Sequence, residues 1–146
     1  MKLILLMLVS GMSLSLPKWQ TDFEKAKAIA KEKDRLILLN FSGSDWCGPC
    51  QRLHKEVFAD NTFTTYADTA LVMYNADFPR SKKNQLSKDL QKSNDALADQ
   101  YNPQGKFPLT LLLTAEGKVV KTWDGYAGNN TQFMQQVKAV CDARHP

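Results

Sequence analysis

The sequence predicts a single-domain α/β protein in which a mixed central sheet is flanked by helices. Its 146 residues, 43% of them apolar, suffice for one hydrophobic core and do not suggest two. Short continuous apolar runs alternate with segments in which apolar residues recur at helical spacing. The last two apolar runs are separated by a tight turn, which indicates an antiparallel hairpin.

A helix, a strand and a second helix come first. Thr21-Asp22 can cap a helix over roughly 22 to 33. The run RLILLNFS, residues 35 to 42, is short and almost continuously apolar, which is typical of a strand buried on both faces. Helical spacing resumes in QRLHKEVF, through Leu53 and Val57. A pair of cysteines therefore lies where a strand ends and a helix begins.

The middle of the chain predicts another helix, strand and helix. Residues 62 to 70 predict a short helix, and LVMYNADF predicts a strand at about 71 to 77. Between residues 81 and 102, apolar side chains recur at spacings of four and seven. This pattern predicts either one helix or two helices broken near Ser93-Asn94.

The C-terminal part predicts a hairpin and a final helix. LTLLLTA at 109 to 115 and KVVKTW at 118 to 123 are joined by the turn Glu116-Gly117. A helix then begins at about Thr131. The order helix, strand, helix, strand, helix, strand, strand, helix predicts an α/β sandwich with a mixed sheet.

The N-terminus has the features of a secretory signal. Met1-Lys2 is followed by LILLMLVSGMSLSL, a charge-free run shorter than the roughly 20 residues that a membrane-spanning helix needs. We expect a signal peptide at residues 1–15, cleaved near Ser15, and a mature domain at 16–146 that is periplasmic or secreted. The alternative is an apolar N-terminal helix or anchor.

Charge and cysteine content narrow the function. The formal charge of +4 is spread over faces of mixed sign and gives no support for a nucleic-acid partner. An exported protein enters an oxidising compartment, where disulfides form and a reactive cysteine pair can exchange with them. Cys47 and Cys50 form such a pair. Cys141, in the last predicted helix, is expected to be a small buried apolar side chain.

The motif SGSDWCGPCQRLH, residues 42 to 54, favours redox chemistry over its alternatives. A zinc site needs four ligands, and a second cysteine pair is absent from the sequence. Attached haem needs a histidine directly after the second cysteine, where Gln51 stands. A structural disulfide that closes so small a loop gives little chain-entropy stabilisation. No metal site is therefore predicted.

A cysteine at a helix N-terminus is acidified, because unpaired backbone N–H groups and the helix dipole stabilise the thiolate. Cys47 should therefore titrate below the value of about 8.5 for a free cysteine and be the better nucleophile. Cys50, one turn further on, should be more buried. Pro49 suits the first helical turn, and Gly48 lets the backbone turn tightly.

WCGPC after a buried strand, with KFPLT leading into another, resembles the thioredoxin family. The wider stretch is similar to exported bacterial members with a Ser-Asp-Trp-Cys-x-x-Cys motif. The resemblance implies a three-layer sandwich with Cys47 as the attacking thiol and Cys50 as the resolving thiol. It also implies a cis Pro108 beside the cysteines, with the Phe107 backbone offered to a substrate peptide. The implied substrate-binding residues are Trp46, Gly48, Pro49, Phe107 and Pro108.

The sequence also departs from that family. Thioredoxins have a buried aspartate before the motif and a lysine in the neighbouring strand, and by resemblance Asn40 and Met73 occupy those places. Asparagine cannot accept the resolving thiol's proton, so either water or a nearby group accepts it, or the proton transfer is slower. His54, four residues after Cys50 and on the same helical face, is a candidate for adjusting the acidity of the thiol. The ordinary interpretation is that it is a partly exposed helix residue. Asp45 is expected to form a turn.

The predicted function is a thiol-disulfide oxidoreductase, inclined towards reduction by the Gly-Pro between its cysteines, as in reducing members of the family that it resembles. It needs no cofactor beyond the Cys47-Cys50 disulfide. Its expected partners are protein disulfides and an upstream thiol reductant or oxidant, such as a membrane electron donor. The alternatives are a copper chaperone using Cys47, Cys50 and His54, or a partner-binding module with slow turnover.

Overall fold

The computed structural model describes residues 18–144. The predicted signal peptide at residues 1–15 and its cleavage near Ser15 lie outside these residues. Among the helices at 18–144, none is long and apolar enough to cross a membrane.

The described chain folds into the predicted sequence of helices and strands, with two helices between the first two strands. The elements are α1 (Phe23–Glu32), β1 (Leu36–Ser42), α2 (Gly48–Leu53), α3 (Asn61–Ala70), β2 (Leu71–Asp77), α4 (Lys88–Tyr101), β3 (Leu109–Leu113), β4 (Val119–Asp124) and α5 (Asn130–Asp142). A π-helical segment, His54–Phe58, continues α2, and a 3-10 turn, Lys82–Asn84, precedes α4. The Asp22 side chain caps α1 by accepting from the Lys25 N–H at 3.1 Å, as predicted.

The four strands form one mixed sheet in the order β2-β1-β3-β4. β1 pairs in parallel with β2 and antiparallel with β3, and β3 and β4 form the predicted hairpin. Gln20 adds a short parallel bridge to Tyr74 at the outer side of β2. β1 therefore lies inside the sheet, which explains why all seven of its residues are buried.

Helices cover both faces of the sheet and enclose two hydrophobic clusters. Alternate residues of β1 point to opposite faces, so Leu36 and Leu38 pack in one cluster while Ile37 and Leu39 pack in the other. α2, α3 and α5 contribute to the first cluster, and α1 and α4 contribute to the second. The three-layer α/β sandwich is confirmed.

The segment between residues 81 and 102 contains one α-helix, α4. It starts at Lys88, several residues after the beginning of the segment in which apolar side chains recur at helical spacing. α4 begins after Ser87, whose side chain accepts from the Leu90 N–H at 3.3 Å. No break occurs at Ser93-Asn94, because the Asn94 side chain is buried and satisfied. It accepts from the Tyr74 hydroxyl at 3.0 Å and donates to the Asp77 carbonyl at 3.1 Å.

β4 is the outermost strand beyond β3, and most of its residues are exposed. Val119 and Val120 are 44% and 43% exposed. Within residues 18–144 no strand pairs with the outer edge of β4.

Candidate active site

The two motif cysteines are bonded to each other at the start of α2. Cys47 is the N-cap residue, and its sulfur accepts from the Cys50 N–H at 3.3 Å. The Cys47–Cys50 disulfide joins Cα atoms 5.2 Å apart. Pro49 lies in the first helical turn, as predicted, and both Gly48 and Pro49 are exposed. The structure is therefore that of the oxidised protein.

The expected difference in burial between the two cysteines is small. Cys50 is 3% exposed and Cys47 is 5% exposed. Their environments differ more than their burial does, because Cys47 caps the helix while Cys50 lies inside its first turns. The acidity expected for Cys47 remains a prediction for the reduced protein.

The peptide bond between Phe107 and Pro108 is cis, as the family resemblance implied. Pro108 is buried, and its carbonyl accepts from the Gly125 N–H at 2.9 Å. The Phe107 ring is half-buried and lies edge-on to the Trp46 indole at 5.3 Å between centroids. Within residues 18–144, the Phe107 main chain takes part in none of the hydrogen bonds that fix the loops. This side of the disulfide therefore presents aromatic rings and an unpaired stretch of backbone.

Trp46 is held on three sides. Its indole N–H donates to the Phe78 carbonyl at 2.8 Å, and the Arg80 guanidinium lies 3.9 Å above the ring centroid. Below the indole is Gly43, where a Cβ atom would overlap the ring. Only glycine leaves room for the indole in this position. The predicted apolar wall at Trp46 is present, and it is built largely by residues outside the motif.

Asp45 fixes a distant segment of the chain. Its carboxylate accepts from the N–H groups of Arg80 and Ser81, both at 2.9 Å, and from the Asn84 side chain at 3.0 Å. These hydrogen bonds, that of Arg80 first, hold the pKa of Asp45 below its usual range. Asp45 lies in a turn, as predicted, and its carboxylate in addition binds partners that lie at least 35 residues away.

A buried polar pair lies on the sheet face that carries α2. Asn40 is 4% exposed and donates to the Asn75 side chain at 2.8 Å, while the Thr110 hydroxyl donates to the Asn40 side chain at 2.9 Å. The residue that pairs with Asn40 in β2 is Asn75. Met73 lies two residues earlier on the same face, within the first hydrophobic cluster.

A cavity of about 250 Å³ adjoins Cys50 and this polar pair. Cys50, His54, Asn40 and Asn75 all line it. His54 is exposed and shares the cavity with Cys50, as its spacing in the helix suggested. Among residues 18–144 no group of three or more His, Cys, Asp or Glu side chains is arranged to hold a metal ion. The structure therefore offers no observation in favour of a copper site.

Cys141 is a buried free thiol, as predicted. It belongs to the first hydrophobic cluster and is 8% exposed. Burial raises the pKa of its thiol above the ordinary value, although the Tyr66 hydroxyl lowers it somewhat. Cys141 is therefore a neutral thiol near pH 7.

The sequence did not reveal several residues around the disulfide. Gly43, Phe78 and Arg80 position Trp46, and Asn75 pairs with Asn40. The available signals were a glycine close before the tryptophan and a polar, proline-containing stretch directly after β2. Neither signal specifies contacts across more than 30 residues of chain.

Residues 23–140 match the family model described as a thioredoxin-like domain. The chain is 28% identical over 127 residues to the disulfide bond reductase DsbH of Chlamydia pneumoniae, covering 87% of this chain and 74% of that protein. It is 26% identical over 113 residues to the thioredoxin-related protein DsbJ of the same organism, covering 77% of this chain and 31% of that protein.

The fold is also similar to a solved structure titled DsbH oxidoreductase. The TM-score is 0.79 with 24% sequence identity, and the likeness covers 97% of this chain and 95% of that chain. The bonded Cys-x-x-Cys pair lies at the start of the helix that follows the central strand.

Proposed function

We propose, from the premise that this chain belongs to the thioredoxin-like domain family, that it reduces protein disulfides. The chain is a thiol-disulfide oxidoreductase, with thiol-disulfide redox partners. The reducing direction is the new part of this proposal. It is supported by the similarity to a protein named a disulfide bond reductase and by the Gly-Pro pair between the cysteines. The observation that carries the proposal is the Cys47–Cys50 disulfide at the start of α2.

The first step is attack by the reduced protein. The Cys47 thiolate attacks one sulfur of a substrate disulfide, the substrate S–S bond breaks, and the other substrate sulfur leaves as a thiolate that takes a proton. The helix start at Cys47 favours the thiolate that this step needs. The product is a mixed disulfide between Cys47 and the substrate.

The second step releases the substrate. Cys50 loses its proton, attacks the Cys47 sulfur and displaces the second substrate sulfur. Two electrons have then moved to the substrate, and the Cys47–Cys50 disulfide seen here has formed. A dithiol donor must reduce this disulfide before the next turnover. Asn40 cannot accept the Cys50 proton, so water in the adjoining cavity is the first acceptor.

The substrate peptide lies beside the disulfide in an extended conformation. Trp46, Gly48 and Pro49 contact it on one side, and Phe107 and Pro108 contact it on the other. The unpaired Phe107 main chain supports this arrangement, because an extended peptide can add hydrogen bonds there. The Trp46 and Phe107 rings supply apolar contact area that accepts many sequences.

The protein acts in an exported compartment, where disulfides form in other proteins and a reductase has substrates. The apolar N-terminal sequence and the Dsb relatives support this location. The upstream electron source is a thiol donor, such as a membrane protein that carries a dithiol.

Insulin reduction with a dithiol donor tests the activity, with the Cys47→Ser protein as its matched control. We expect turnover of the wild-type protein and none above background for Cys47→Ser. The reduction potential of the Cys47–Cys50 couple then tests the direction. A value near that of thioredoxin, about −270 mV, supports a reductase, and a value near about −120 mV contradicts it.

A further inference from the structure

The segment that follows β2 carries a concentration of positive charge beside the disulfide. Residues 79–88, here called the basic segment, have the sequence PRSKKNQLSK. It contains Arg80, Lys82, Lys83 and Lys88 and no acidic residue. The formal charge of +4 for the whole chain is thus equalled by ten residues.

The basic segment is fixed to the cysteine motif at its N-terminal half. Asp45 binds the Arg80 and Ser81 N–H groups and the Asn84 side chain. The Arg80 guanidinium lies over the Trp46 ring, and Trp46 is the residue directly before Cys47. Because Asp45 and Trp46 are the two residues before Cys47, these contacts hold the Arg80 charge on the aromatic ring that adjoins the cysteine motif.

These cations are only partly offset by the surrounding charges. Arg80, Lys82 and Lys83 are exposed, and none of them forms an ion pair within residues 18–144. The two nearby carboxylates, Asp45 and Asp77, accept hydrogen bonds from neutral donors of the segment and of Ser44 and keep their negative charges, so the three cations leave a local excess of positive charge. A positive surface therefore borders the aromatic rings at the disulfide.

We propose that the preferred substrates carry aspartate or glutamate residues next to the disulfide cysteine that Cys47 attacks. This inference rests on the proposed reductase function and names the substrate class of the same site. An acidic side chain of the bound peptide meets Arg80 over Trp46, and further acidic residues meet Lys82 and Lys83. Charge complementarity acts mainly on the encounter rate, so kcat/KM carries the effect and kcat does not.

Single-turnover reduction of designed peptides tests the inference. Pre-reduced full-length protein is mixed with disulfide-linked fluorescent peptides that carry Glu, Gln or Lys beside each cysteine. We expect the Glu peptide to react about tenfold faster than the Lys peptide at about 20 mM salt, and less than about twofold faster at about 0.5 M salt. An uncharged small disulfide, bis(2-hydroxyethyl) disulfide, reports the activity itself.

Three variants assign the preference to the basic segment. Arg80→Gln and the double variant Lys82→Gln/Lys83→Gln should each reduce the Glu-over-Lys preference at least about twofold. The lysine double variant should react with the uncharged disulfide at the wild-type rate. For Arg80→Gln, which also removes a contact of Trp46, the readout is the ratio of the Glu-peptide rate to the Lys-peptide rate. Lys33→Gln removes one exposed charge from the residue that ends α1, before β1 begins, and should keep the full preference.

The outcomes separate this inference from the proposed function. No reaction with any disulfide overturns the reductase function. Normal reaction with the uncharged disulfide, but equal rates for the Glu and Lys peptides, overturns only the substrate preference. A preference that Lys33→Gln reduces as much as Arg80→Gln does overturns the role of the segment. Binding to anionic phosphatidylglycerol vesicles that needs Arg80, without a peptide preference, would assign the segment to a membrane surface instead.

Discussion

Buried cysteines occur in two regions of this protein, and only one of them is built for redox chemistry. Cys47 and Cys50 follow the end of β1, whereas Cys141 in α5 lines a cavity with Arg35 and Leu36 at the start of β1. The cavity beside Cys141, about 490 Å³, is larger than the one beside Cys50, about 250 Å³. Neither cavity size nor burial of sulfur therefore identifies the active site.

The difference lies in what surrounds each sulfur. Cys47 has a second cysteine at bonding distance, a helix start, aromatic rings and unpaired backbone nearby. Cys141 has apolar neighbours that raise the pKa of its thiol and no second cysteine. A reactive cysteine therefore needs surroundings that stabilise its thiolate and leave room for a substrate disulfide to reach the sulfur.

The largest expected effect is a loss of activity when Cys47 is replaced, with no such loss when Cys141 is replaced. Cys47→Ser should lower insulin reduction by more than about a thousandfold, because the nucleophile is removed. Cys141→Ala should leave the rate within about twofold and lower the free energy of unfolding by about 1 kcal/mol. Turnover and urea denaturation measure the two quantities. A comparable loss of activity in Cys141→Ala would remove the distinction between the regions.

Alkylation of the reduced protein compares the acidities directly. Iodoacetamide at pH 7 should modify Cys47 at least about tenfold faster than Cys141, because the helix start stabilises the Cys47 thiolate whereas burial raises the pKa of the Cys141 thiol. The Cys141 rate should rise only as the pH approaches the raised pKa of its thiol. Mass spectrometry of quenched samples gives both rates. Equal rates in the folded protein would contradict the proposed activation of Cys47.

Gly43→Ala tests the support of the aromatic wall. The added Cβ overlaps the Trp46 indole, so the ring must move. We expect a loss of roughly 1 to 3 kcal/mol in the free energy of unfolding and about tenfold in the rate of peptide reduction. The alkylation rate of Cys47 should stay near the wild-type value. Unchanged peptide reduction would show that Trp46 does not contact the substrate.

The smallest expected effect is a pH-dependent loosening of the basic segment. The pKa of Asp45 is lower in the folded protein than in the unfolded chain. The ionised carboxylate therefore stabilises the folded protein fully above the ordinary aspartate pKa of about 4. This stabilisation is lost as the pH falls through the lowered pKa of the folded state. The N–H resonances of Arg80 and Ser81 should shift over that range, and Asp45→Asn should abolish the shift. Resonances that titrate identically in Asp45→Asn would exclude Asp45 as the anchor.

Much of the fold follows from local patterns. The ends of α1 and β1 lie within about one residue of the prediction, because Asp22 caps the helix and the apolar run defines the strand. Cys47, Cys50, Pro49 and Pro108 were located by short motifs whose geometry the backbone reproduces. The cysteine motif at the helix start follows from neighbours in sequence, whereas the cis bond before Pro108 was implied by the resemblance to the thioredoxin family.

The remaining features depend on strand register and on contacts between distant segments. The pairing of Asn40 with Asn75 depends on how β1 aligns with β2, which an apolar pattern leaves open by two residues. Asn94 stays inside α4 because it bonds Tyr74, 20 residues away. The Arg80 guanidinium lies over Trp46, and the Asp45 carboxylate accepts from the Arg80 N–H, 35 residues away. No local signal encodes these partners.

The exposed edge of β4 gives the molecule one side on which further strands can add. On the β2 side Gln20 forms a short bridge with Tyr74, whereas within residues 18–144 no strand pairs with the outer edge of β4, which leaves that edge open to intermolecular β-pairing. Val119 and Val120 make that side attractive to another chain, and Lys118 and Lys121 flank them with charges that repel an identical copy. Neutralising these two lysines would therefore turn the outer hairpin into the place where self-association begins.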